Sequence, residues 1–202
     1  MEKTKNLYNE LNDLDIITNY EYPVLILKDI NNIINNIISN LNKEEYDIIN
    51  ENIYVHKSCE IGKSVEITGP CVIMENTKIL HNAYIRGNVI IGKNSYIANS
   101  SEIKNSILIG NNKIPHFNYV GDSILGNGVH LGAGAIISNL RFDKQNIKVQ
   151  GEQTDLLKIG AFIGDNTEIG CNSVIAPGSV IEANTIVYPL TFYRNKNIIE
   201  RL

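Results

Sequence analysis

From Val55 onward an aliphatic residue returns at every sixth position, through Ile61, Ile67, Ile73, Ile79, Ile85, Ile91, Ile97, Ile103 and Ile109. The register returns at Leu125, Leu131 and Ile137, and again at Ile163, Ile169, Ile175, Ile181 and Val187. A fixed short period marks a solenoid, in which each repeat buries its apolar residues against its neighbours, and hexapeptides point to a parallel β-helix. The third residue after the aliphatic one is a turn former, often Asn (Asn76, Asn82, Asn94, Asn172) or Gly (Gly128, Gly134, Gly178), which tolerate the left-handed backbone a corner requires. The fourth is small, as at Cys59, Cys71, Thr77, Ser95, Ser101 and Ser173, and fits a tight interior.

Upstream the period is different. Leu27, Ile30, Ile33, Ile34, Ile37, Ile38 and Leu41 follow the spacing of an amphipathic helix that Pro23 can start. Residues 1–51 are expected to form an N-terminal helical cap, 52–190 the solenoid and 191–202 a C-terminal tail. The chain of 202 residues carries a net charge of −4, without the basic balance that tracks along nucleic acid. Its three cysteines, Cys59, Cys71 and Cys171, form no C-x-x-C pair and read as free thiols of a reducing compartment. With neither a signal peptide nor an apolar run of spanning length, the expectation is a cytoplasmic protein that engages no membrane.

The repeat breaks twice, and departures from a strict repeat are where function is expected. Between Ile109 and Leu125 the segment 111–121 slips the register by four residues. Between Ile137 and Ile163 the chain reads as a loop leaving the solenoid near 140–158, carrying Arg141, Lys144 and Lys148.

The blocks Pro115-His-Phe-Asn-Tyr-Val-Gly-Asp-Ser-Ile-Leu-Gly126, Leu131-Gly-Ala-Gly-Ala135 and Ser138-Asn-Leu-Arg-Phe-Asp143 resemble the acetyltransferase half of bifunctional N-acetylglucosamine-1-phosphate uridylyltransferase/glucosamine-1-phosphate acetyltransferases. These are hexapeptide-repeat acyltransferases. The resemblance covers about residues 52–190. It implies an all-β fold, a left-handed parallel β-helix with three six-residue sides per coil, assembled as a homotrimer. It also implies transfer of an acetyl group from acetyl-CoA to the amine of an amino-sugar phosphate, with no metal required.

The same resemblance supplies roles. An amine must lose a proton to attack a thioester, and His116 falls on the family's catalytic histidine. Asn139 matches the acyl-site asparagine, and the backbone N–H of Leu140 is placed to hold the oxyanion. Arg86 and Lys104 match the sugar-phosphate cations; three hexads make one coil, so they should stack one strand apart. Tyr119 and His130 fall at sugar-phosphate positions, Lys148 or Lys144 matches a lysine on the loop, and Ala176 and Pro189 fall at acyl-CoA positions. His130 stands where the family usually has asparagine, Leu140 where it has tyrosine, and Pro189 where it has a small alanine. Residues 1–50 show nothing like a Gly-rich nucleotide loop, so pyrophosphorylase activity is not expected of them. Two alternatives stay open: a non-catalytic module for sugar-phosphate binding or trimerisation, and a metalloenzyme of the γ-carbonic-anhydrase kind, for which His81, His116 and His130 would be the ligands.

Overall fold

The computed structural model describes residues 1–12 and 14–195. From Ile53 the chain winds as a left-handed parallel β-helix with three flat sides. The first side includes the strands Cys71–Ile73, Ala161–Ile163 and Ser179–Ile181; the second, Tyr96–Ile97 and His130–Leu131; the third, Tyr119–Gly121 and Ile136–Ile137. Two longer strands, Tyr84–Ile91 and Glu102–Leu108, run around the corner from the third side to the first. In regular coils each residue pairs with the one 18 positions on, as Cys71 with Val89 and Lys78 with Tyr96.

Alternation along the strands decides what points inward. Ile73, Ile79, Ile85, Ile91 and their successors fill the prism, each worth roughly 1.5–3 kcal/mol of transfer free energy. The small column (Thr77, Ser95, Ser101, Ser173) is buried beside them. Cys71 is sealed in the same interior, and burial pushes its thiol up to about 12. Asn76, Asn82, Asn94, Asn166, Asn172 and Asn184 turn corners in the left-handed region, which a short polar side chain tolerates.

The run of sixes ends at Ile103. Leu108, Ile114, Val120 and Leu125 are the next inward residues, while Ile109 faces outward. One residue is lost at one corner in two successive coils, where Asn105 and Asp122 each turn the chain at φ +46 and +51, and the coil spacing falls to 17 (Tyr96 with Lys113, Ile107 with Ile124). Segment 111–121 therefore stays within the prism, contrary to the slip read from the sequence with Ile109 taken as inward. Its interior small positions are Asn112 and Asn118, buried and bonded to the Gly126 carbonyl (2.7 Å) and the Ala135 N–H (2.9 Å).

The first side is apolar on both faces. Outward-pointing Val72, Ile90, Ile107, Ile124, Phe162 and Val180 are covered by the N-terminal segment, which packs Leu7, Leu14, Ile17, Ile26, Ile33 and Ile34 on them. The expected single helix is two, Pro23–Lys28 and Ile30–Asn40, broken at Asp29, whose carboxylate accepts from the Tyr20 hydroxyl and the Asn32 amide. The helices lie along a wall of the prism, while the strand Tyr46–Asn50 pairs antiparallel with the first strand of the solenoid, Ile53–His56. The excursion after Ile137 carries a hairpin, Lys148–Val149 with Glu152–Gln153, and returns Ile147, Val149 and Ile159 to the same outer cluster. Of the C-terminal tail, Phe192–Tyr193 pairs with Val174–Ile175 as the last strand of the third side, and residues 196–202 lie outside the described residues.

Candidate active site

Register places Arg86, Lys104 and Gly121 in one outward column at the end of the third side. Gly121 matters because a Cβ there would lie 2.5 Å from the Tyr119 hydroxyl and 2.8 Å from Asn139 Nδ2. Its missing side chain lets Tyr119 and Asn139 fold over the column, where Asn139 Nδ2 donates to the Tyr119 hydroxyl at 3.1 Å. Burial is the first cause that raises the Tyr119 phenol.

Each cation already has a carboxylate. Arg86 Nη1 lies 2.6 Å from Glu102 Oε1, which holds the guanidinium pKa up, and Arg86 also covers the Tyr84 ring at 5.6 Å. Lys104 Nζ lies 3.4 Å from Asp122 Oδ2. Asp122, 5% exposed, also accepts from Asn105 Nδ2 at 2.8 Å and from Asn139 Nδ2. Sequence reasoning assigned Asp122 no role, although it lies inside the block that carried the family resemblance.

The root of the excursion is pinned beside this cluster. Ile159 N–H donates to the Asn139 carbonyl (3.1 Å), Gly160 N–H to the Asp122 carbonyl (2.8 Å), and Leu140 bridges antiparallel to Lys158. The Ile159 to Asn139 bond makes Leu140 and Lys158 a non-hydrogen-bonded pair, so the Leu140 N–H turns away from the returning strand. Farther out, Arg141 grips Asp143 with two bonds (2.9 and 2.6 Å), which holds that carboxyl well below the usual range. Lys144 and Lys148 line a cavity of about 520 Å³ with Arg141, Gln145, Asn146 and Gln153.

His116 sits elsewhere. It is exposed at the corner between the second and third sides; its carbonyl accepts from Gly134 N–H (2.9 Å), and the next residue, Phe117, bonds to the Asn99 carbonyl (3.0 Å). Asn139 lies at the far end of the third side, six residues beyond the coil position that stacks on His116, or roughly 15–20 Å at ~3.3 Å per residue. One chain thus keeps His116 apart from Arg86, Lys104 and Asn139, while Tyr119 lies between the two corners. Pro189 falls on the His116 corner, below Cys171, while Ala176 stacks under Ser138 at the Asn139 corner. His130 is on the second side, 2.7 Å from Glu168 Oε2. Among the described residues no three His, Cys, Asp or Glu side chains gather as metal ligands would; His81 shares the His116 corner two coils away.

Residues 67–157 match the GMPPB C-terminal domain. Among curated relatives, a bifunctional sugar-1-phosphate nucleotidylyltransferase/acetyltransferase of Sulfurisphaera tokodaii is 45% identical over 82 residues, 39% of this chain and 20% of that protein. The bifunctional protein GlmU of Methanococcus vannielii is 40% identical over 80 residues, 38% and 19% of the two chains. The chain thus matches about a fifth of the length of each of these relatives. Among solved structures, a hexapeptide transferase family protein from Anaplasma phagocytophilum superposes with a TM-score of 0.46 at 18% identity, covering 65% of this chain and 70% of that one.

Proposed function

We propose that the protein transfers an acetyl group from acetyl-CoA to the amine of an amino-sugar phosphate of the glucosamine-1-phosphate kind, at a site completed between copies in a homotrimer. The observation that carries this reading is the third-side corner, where Arg86, Lys104, Tyr119 and Asn139 converge beside a Leu140 N–H that turns away from the returning strand. Arg86 and Lys104 hold the phosphate with the donors their carboxylates leave free, and Tyr119 adds a hydroxyl; Lys144 and Lys148 on the excursion and His130 on the second side complete the sugar-phosphate contacts. His116 of a neighbouring copy takes the amine proton, the nitrogen attacks the thioester carbonyl, and the Leu140 N–H stabilises the oxyanion. The C–S bond then breaks, and the CoA thiolate takes the proton from His116. Ala176 and Pro189 flank the acyl donor.

Apolar side chains exposed around the second and third sides (Phe117, Val174, Ile186, Tyr188, Leu190 and Phe192) supply the surface that copies bury. Acetyl-CoA as the donor supports a cytoplasmic reaction; among the described residues no helix is long and apolar enough to cross a membrane. A second reading, a module that binds sugar phosphate without turnover, is favoured by Pro189 at the acyl-donor corner. Thiol release decides between them. CoA release that depends on glucosamine-1-phosphate and falls at least about a hundredfold in His116→Ala, with the oligomer intact, is the expected result. Sugar-phosphate binding without thiol release would leave the binding module.

A further inference from the structure

Asp122 sits where the fold itself would accept asparagine. Its φ of +51 is the left-handed corner conformation that Asn105 adopts one coil earlier, so turning the chain does not call for a carboxylate. What calls for one is the ring of donors around it: Lys104 Nζ at 3.4 Å, Asn105 Nδ2 at 2.8 Å and Asn139 Nδ2. An ionised carboxylate only accepts, so the Asn139 amide must present its NH₂ group to Asp122. The other proton of that NH₂ group goes to the Tyr119 hydroxyl. Two consequences follow from hydrogen-bond valence alone. Asn139 Oδ1 is turned away from the cluster as an acceptor, and Tyr119, having accepted, keeps its own proton to donate to a further acceptor.

We propose that Asp122 is the positioning residue of this site, fixing Asn139 Oδ1 to accept an N–H of the attacking amine and Tyr119 to donate to the phosphate of the same substrate. This rests on the acyl-transfer reading above. Asn139 and Leu140 are adjacent, so an amine held on Asn139 Oδ1 lies beside a thioester carbonyl held on the Leu140 N–H, within reach of attack. Asp122 touches neither reactant. Its charge sets which atom of Asn139 faces them.

The experiment compares wild type, Asp122→Asn and the reciprocal swap Asp122→Asn/Asn139→Asp. In Asp122→Asn the new NH₂ group replaces one of the two accepting oxygens and opposes either Asn105 alone or Lys104 and Asn139 together, which loosens the cluster and lets Asn139 turn; kcat and the KM for glucosamine-1-phosphate are each expected to worsen about tenfold, while acetyl-CoA binding measured by calorimetry stays within about twofold. The swap restores a donor at 122 facing an acceptor at 139 and keeps an oxygen outward for the amine, but turns the Tyr119 proton toward the new carboxylate, so kcat is expected back within about threefold of wild type while the KM for the amino sugar stays raised. Wild-type constants in Asp122→Asn, equal damage to both substrates, or a swap no better than the single variant overturns the proposal. If wild type releases no CoA, it is the acyl-transfer reading that fails. The orientation is then read from the Asn139 side-chain amide in NMR: exchange-protected protons in wild type that lose protection in Asp122→Asn support the pinned amide, and unprotected protons in wild type overturn it.

Discussion

Gly121 occupies the outward place that Arg86 and Lys104 hold in the two coils before it, and the space a side chain would take is filled by the Tyr119 hydroxyl and the Asn139 amide. Gly121→Ala would put a methyl group 2.5 Å from that hydroxyl, closer than van der Waals contact permits, and the flexible partners rather than the backbone must move. The expected outcome is a fall in turnover of at least about tenfold with a thermal midpoint within a few degrees of wild type. A variant with unchanged turnover would show that the Tyr119 and Asn139 arrangement is dispensable. At this scale the stacking of Arg86 on Lys104 was legible in the hexad spacing and, through the family resemblance, so were Tyr119 and Asn139 as candidates. The role of Asp122 was not, because its partners meet it only across corners.

Strands of the first side are apolar on both faces, which a period of six conceals, since it registers the inward column and not the outward one. Phe162 is fully buried in the outward column under the N-terminal segment. Phe162→Ala is therefore expected to cost about 3–5 kcal/mol, measured by urea denaturation, whereas a loss under about 1 kcal/mol would mean that the helices do not pack on that wall. The excursion obeys the same logic. Ile147, Val149 and Ile159 anchor it on that outer cluster, so Arg141, Lys144 and Lys148 ride on a segment fixed by apolar packing. The amphipathic helix was legible from its isoleucines, but its break at Asp29 was not, because the Tyr20 hydroxyl that helps hold Asp29 comes from another element.

Across the whole molecule the proposed machinery is divided between two corners of the prism, His116 at one end of the third side and Asn139 with the cations at the other. If each site is completed by a neighbouring copy, His116→Ala and Asn139→Ala proteins, each inactive alone, should regain activity when unfolded and refolded together; random assembly of equal amounts makes about a quarter of the interfaces intact. Mixed assemblies with no recovered CoA release would place the whole reaction within one chain. The sequence by itself determined the solenoid, the inward aliphatic column, the corner asparagines and the stacking of Arg86 on Lys104, because these follow from one-dimensional spacing repeated coil after coil. Only the tertiary structure decided that the supposed slip at 111–121 is two five-residue sides, that the N-terminal segment covers a wall, and that Asp122 gathers Lys104, Asn105 and Asn139. Those outcomes depend on which residues from different coils meet at a corner, and the loss of one residue per coil changes that meeting without erasing the hydrophobic repeat.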